Sequence, residues 1–179
     1  MKLSKRGEYA LRSLIALGIA RETGRDLVRL GELAQAEGIP ENFLQQIFID
    51  LRAAGLVESE RGKLGGYRLG RPAREIIIGD VVRLIDGPLA PIRCVSQTAY
   101  EKCSCPEEAH CGLRLLMLNV RNAISGILDR FTLADVVATT VHHLRTRPPG
   151  APAPENTNAR TVATATGYWF EEFLYGEGI

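Results

Sequence analysis

Between residues 30 and 69 the chain holds a run of signals that leaves few choices of fold. LGELAQAE (30–37) reads as a short helix, and Gly38 stops it, because glycine takes the left-handed conformation at a helix end without a Cβ penalty. Pro40 suits the start of the next helix, expected over 41–54. In that helix Leu44, Ile47, Phe48 and Leu51 keep the i, i+3, i+4, i+7 spacing without a miss, which makes one face apolar. Asn42, Gln45, Gln46, Ile49 and Arg52 fall on the other face. Gly55 ends the helix. Residues 56–59 and 67–69 are then extended around ERGKLGG, a basic, glycine-rich tip, and read as a β-hairpin. Taken alone the hairpin could be an ordinary solvated one. Placed after two short helices and a tight turn, it reads as the wing of a winged helix-turn-helix, whose second helix can enter a major groove.

The flanks fit that unit. Residues 4–20 form a first helix with Leu11, Leu14, Ile15 and Gly18 on one side. Ser4 is its expected N-cap, and Glu8 in the first turn suits the helix dipole. Residues 23–26 make a turn, and 27–30 a very short strand. A further helix is expected over 76–85, with Ile77, Val81, Val82 and Ile85 inward and Gly87-Pro88 as its stop. From Cys111 a helical pattern runs for about twenty residues. Leu113, Leu116, Met117, Val120, Ile124, Ile127 and Phe131 form a stripe long enough to pair two copies of the chain; a core helix within one chain is the plainer alternative. Thr132 caps a short final helix. The fold class is mainly α with a small β-hairpin wing: a winged helix-turn-helix plus a long C-terminal dimerisation helix. Three segments follow: 1–72, the DNA-binding module; 73–138, a cysteine loop and the dimerisation helix; and 139–179, a Pro-rich flexible tail. That tail ends in GYWFEEFLYGEGI, which holds five of the eleven aromatics.

Charge and composition narrow the function. Hydrophobic residues make up 45% and charged residues 24% of 179, the balance of a globular protein without a membrane span. Basic and acidic side chains number 12 and 9 over residues 1–72, 9 and 8 over 73–147, and 1 and 4 beyond. The positive end therefore coincides with the helix-turn-helix, a mild pointer to nucleic acid. Glu8 and Arg12 interrupt what would be a signal-peptide core, so a cytoplasmic location is expected. No phosphate-binding glycine loop, nucleophile elbow or two-histidine metal helix is present, and an enzyme is not expected.

All four cysteines, Cys94, Cys103, Cys105 and Cys111, lie within 18 residues. The stretch has neither helical nor alternating period, and Pro106 interrupts it, so it is a loop. Thiolates gathered on a loop suit soft metals or redox chemistry. In a reducing compartment a disulfide framework is the weaker explanation. A structural zinc site is a further possibility, although Cys103-Ser104-Cys105 departs from the usual C-x-x-C spacing. With one residue between them in a locally extended loop, Cys103 and Cys105 are expected to point to opposite sides.

MKLSKRGEYALRSL, IFIDLRAAGLVES, RGKLGGYRL, GDVVRLIDGPLAPIRC and ILDRFTLADV together resemble the Rrf-two family of bacterial transcription regulators, which includes IscR-, NsrR- and CymR-like members. The resemblance covers roughly residues 1–138. It implies a homodimer with a crossing helix, a double-stranded DNA operator as partner, and in many members an iron–sulfur cluster, 2Fe–2S or 4Fe–4S, on three loop cysteines. By that resemblance the metal ligands are Cys94, Cys105 and Cys111, with Cys103 as alternative second ligand. The histidine that IscR-type members use three residues after the last cysteine would fall at position 114, which is Arg114. Glu8 matches the acidic residue that the other subunit donates in some NsrR-like members. A cluster-free regulator, sensing through thiol oxidation or a partner protein as CymR-like members do, is the alternative. For DNA, the amides of Asn42, Gln45 and Gln46 suit base edges, Arg61 at the wing tip a minor groove or guanine, and Lys63 phosphate.

Overall fold

The computed structural model describes residues 3–62 and 65–146. Lys63, the Pro-rich tail and its aromatic end therefore lie outside the described residues. The described chain folds as α1 (Lys5–Glu22), α2 (Leu30–Glu37), α3 (Glu41–Ala53), β1 (Val57–Glu60), β2 (Gly66–Leu69), α4 (Ile78–Asp86), α5 (Gly112–Leu128) and α6 (Leu133–Thr146). Short 3-10 turns occupy Ala73–Glu75 and Arg93–Val95.

Local chemistry accounts for most boundaries. Ser4 caps α1, its hydroxyl accepting from the Gly7 amide at 3.0 Å. The Ser4 amide also donates to Asp86 at 2.8 Å, tying the start of α1 to the end of α4. A Cβ on Gly7 would stand 2.6 Å from the Asp86 carboxylate, so only glycine allows that approach. Gly38 ends α2 in the left-handed region at φ 62°. Thr132 and Asp135 exchange bonds at the start of α6: the Asp135 carboxylate accepts from the Thr132 amide at 2.8 Å, and the Thr132 hydroxyl accepts from the Asp135 amide at 3.3 Å.

β1 and β2 form one antiparallel hairpin with Val57 opposite Leu69 and Glu60 opposite Gly66. The strand expected over 27–30 is reduced to a single bridge from Val28 to Tyr67, because α2 already begins at Leu30. The core lies where α1, α2 and α3 meet the hairpin. Leu14, Ile19, Leu33, Leu44, Ile47, Phe48, Leu51 and Val57 are fully buried there. The Phe48 ring packs edge-on to Tyr67 at 4.7 Å, fastening α3 to β2.

Two differences from the sequence pattern involve the second half. α4 begins at Ile78, two residues later than the apolar spacing suggests. Ile76 and Ile77 are extended instead: Ile77 bridges Thr132, and the Leu133 amide donates to the Ile76 carbonyl at 2.8 Å. α6 also runs on to Thr146, past residue 138, because Val137 and Val141 still bury themselves against the core. A Cβ on Gly18 would meet the Val137 side chain at 2.5 Å, so α6 packs directly on α1. α5 behaves differently. Of its residues only Arg121 is buried, while Leu116 is 56% and Ile127 60% exposed, as is Phe131 just beyond it at 47%.

Candidate nucleic-acid interface and cysteine cleft

α3 carries the candidate base-reading side chains because its apolar period holds one face on the core. Leu44, Ile47, Phe48 and Leu51 are buried, which leaves Asn42, Gln45, Gln46, Ile49 and Arg52 exposed on the far side. Arg61 is exposed at the hairpin tip. A cleft of about 430 Å³ opens between the starts of α2 and α3 and the wing, lined by Arg29, Arg52, Ser59, Arg61 and Tyr67 among others. Arg29 was not legible as a site residue: it precedes α2 as an unremarkable basic residue, and only the folded hairpin sets it beside Arg61. Arg68, by contrast, is neutralised within the wing. It lies 3.1 Å from Glu58, 3.3 Å from Glu60 and 3.7 Å from Asp26. Arg61 and Arg52 thus stand exposed at the tip and the cleft, where glycines 62, 65 and 66 let a phosphate backbone come close.

The second site is the loop between α4 and α5. Cys94, Cys103, Cys105 and Cys111 all line one cleft of about 320 Å³, together with Arg93, Glu101 and Arg114. Cys94 is 6% exposed, on the Arg93–Val95 turn; the other three are half-buried. Cys111 immediately precedes α5. Along the cleft each thiol acts on the next, Cys94 with Cys103, Cys103 with Cys105 and Cys105 with Cys111. Cys103 and Cys105 therefore face the same cleft, contrary to the expectation for an extended loop. The chain bends at Ser104, which brings both side chains to one side. Among the described residues no three Cys, His, Asp or Glu side chains converge closely enough to hold a single ion.

Electrostatics differ from thiol to thiol. Burial, then the Cys103 charge, pushes the Cys94 thiol up. Cys103 is held down, chiefly by the Cys105 amide and then the Cys105 thiol donating to it. Cys105 is pushed up to about 11, first by its bond to Cys103 and that group's charge, then by Cys111. The loop is braced from outside: Arg93 pairs with Glu101, and the Tyr100 hydroxyl donates to Glu108 at 2.9 Å. Arg114 Nε stands 3.1 Å from Glu108 Oε1, a charge contact whose angle falls short of a hydrogen bond. Position 114 is thus spent on fixing the loop. His110 is exposed, 3.4 Å from Glu107. Glu8 sits on α1, paired with Lys5 at 2.8 Å and Arg12 at 3.5 Å, apart from the cysteines of its own chain.

Among the described residues no helix is long and apolar enough to cross a membrane. Comparison with known proteins places this architecture. The family model Rrf2, described as an iron-dependent transcriptional regulator, matches residues 3–139. CymR of Bacillus subtilis is 34% identical over 140 residues, which are 78% of this chain and 92% of that protein. IscR of Photobacterium profundum is 32% identical over 137 residues, 76% of each. Among solved structures, that of CymR, the global cysteine regulator of B. subtilis, superposes with a TM-score of 0.65 at 34% identity, covering 78% of this chain and 98% of that one. T. potens IscR gives 0.63 at 29% identity, covering 84% and 94%. These relatives are transcriptional regulators and not enzymes, and their winged-helix architecture is the one described above. The chain belongs to the Rrf2 family of transcriptional regulators.

Proposed function

We propose that the protein is a homodimeric regulator whose affinity for an operator is set by an iron–sulfur cluster, 2Fe–2S or 4Fe–4S, bound in the cysteine cleft. The observation that carries this reading is the convergence of four thiols on one cleft between the DNA-reading module and α5. Thiolate is the donor that cluster irons prefer, and the protein ligands of such a cluster are shared out over two or four irons, so a spread of thiols along a cleft suits it better than it suits a single ion. Cys94, Cys105 and Cys111 would hold it, with Cys103 the alternative second ligand and Glu8 of a second copy the fourth donor. The cluster would supply a redox- or nitric-oxide-sensitive centre. The remaining steps belong to the chain: α4 and α5 bracket the loop, so a change in loop shape reaches both the winged helix and the helix that pairs the copies. Asn42, Gln45 and Gln46 read bases, Arg61 enters a groove, and Lys63 meets phosphate.

The four thiols lining one cleft and influencing one another along it also suit a second reading, a cluster-free regulator that senses through its thiols. The two readings part on composition. Iron and acid-labile sulfide per chain are measured on anaerobically purified protein and on alanine variants of the four cysteines and Glu8. The cluster reading expects loss at Cys94, Cys105 and Cys111, retention at Cys103, and a more labile centre at Glu8. Loss at Cys103 with retention at Cys105 would exchange the second ligand. An iron-free parent, even after reconstitution with iron and sulfide, would leave thiol sensing.

A further inference from the structure

Arg121 is buried at 8% exposure, and its Nε has no hydrogen-bond partner. Among the described residues no carboxylate pairs with its guanidinium. A guanidinium keeps its charge at any pH a folded protein survives, and burying it uncompensated is strongly unfavourable. The other buried charge among the described residues, Glu37, is answered by Arg12 at 2.9 Å.

The surroundings show what would answer it. Arg121 lines a small cleft between the segment that follows α4 and the side of α5, with Arg83, Leu89, Ser96, Thr98 and Ser125. No carboxylate lines it. Arg83 brings a second guanidinium, whose own charge is met outside by Asp129 at 2.6 Å and Asp80 at 3.1 Å. The Ser96 oxygen accepts from the Ala99 amide at 3.0 Å, which leaves its hydroxyl proton free to donate. The cleft is therefore walled by donors and apolar surface. Its interior is about 20 Å³, enough for one water-sized particle, which needs roughly 10–15 Å³. A water could accept from Nε but would leave the charge unanswered.

We propose that this cleft binds one small monovalent anion, of the size of chloride, between Arg121 and the hydroxyls of Ser96, Thr98 and Ser125. Ser96 and Thr98 follow Cys94 and Val95 in sequence, so the anion ties the start of the cysteine loop to α5. The same charge could come from a carboxylate of a second copy, and the two sources are separable.

The test uses the full chain at fixed pH and fixed ionic strength, with chloride replacing gluconate, an anion too large for the cleft. The melting temperature is expected to rise with chloride and level off. The chloride-35 line is expected to broaden in parallel. Arg121→Met removes the charge; Ser125→Leu keeps it but fills the cleft, and serves alone should the first variant fail to fold. Each is expected to lose most of the chloride response. A wild-type melting temperature indifferent to chloride, or an equal rise in both variants, would overturn the proposal. So would a melting temperature that follows protein concentration and not chloride, since the neutralising group would then belong to a second copy.

Discussion

Gln45 is held on the exposed face of α3 by four buried neighbours on the opposite face, so its amide is presented without any packing role of its own. Gln45→Ala is expected to leave stability unchanged and to cost about 1–3 kcal/mol in operator binding, with relaxed preference at one base pair. Binding measured across a panel of single-base operator variants checks this; an unchanged preference would remove Gln45 from the reading set. Arg12 makes a different case. It pairs with Glu37, whose side chain is 4% exposed, and burial pushes that carboxyl above its ordinary range while Arg12 opposes the rise. Arg12→Met strands the carboxylate and is expected to cost about 3 kcal/mol at neutral pH. The sign of the pH effect follows from the raised value. The folded state takes up the Glu37 proton at higher pH than the unfolded chain does, so acid relieves the penalty as pH falls through the folded value. The relief is larger without Arg12. Urea unfolding at pH 7 and pH 5 should therefore show the gap between variant and parent narrowing, and a constant gap would refute the account.

At the level of elements, α5 is a long helix that leaves both ends of its apolar stripe uncovered by its own described residues. Leu113, Leu116, Ile127 and Phe131 are all roughly half exposed, which in a lone molecule would be an unusually large apolar surface. In the proposed dimer a second copy of the same helix would cover it. Ile127→Asp touches little in its own chain and is expected to yield folded monomers by sedimentation; a dimer of parental strength would exclude α5 as the pairing surface. Elements were also where the sequence was most legible. α2 runs over 30–37 as the spacing and Gly38 require, and α3 departs from its expected span by one residue. Both are ruled by local signals: an apolar period and a stop. α4 was misplaced at its start because Ile76 and Ile77 satisfy a helical period as well as a strand, and the choice is made by Leu133 and Thr132, more than fifty residues away. The cysteine cleft was legible as a cluster of donors but not in its facing, since the bend at Ser104 is fixed by bracing contacts such as Tyr100 with Glu108.

The whole molecule joins these scales through one geometric constraint. Each winged-helix module is bound to α6 through α1 and to α5 through α4, so in the proposed dimer two modules paired through α5 would stand at a set separation and orientation. A symmetric dimer of helix-turn-helix modules reads two half-sites one helical turn apart, about 34–36 Å, or a multiple of it. Inserting half a turn of DNA between the half-sites keeps every base but rotates one site to the opposite face of the duplex. Binding by the parent is expected to fall towards its non-specific level with a 5-base-pair insertion and to recover in part with a 10-base-pair one. The Ile127→Asp monomer contacts one half-site at a time and is expected to bind weakly and without regard to spacing. Gel-shift titrations of both proteins on the three operators, at one stated salt concentration because phosphate contacts make affinity salt-dependent, separate the outcomes. Parent binding that ignored the insertion would mean that the two modules are not rigidly coupled, and the cysteine loop would then have to act on each module singly.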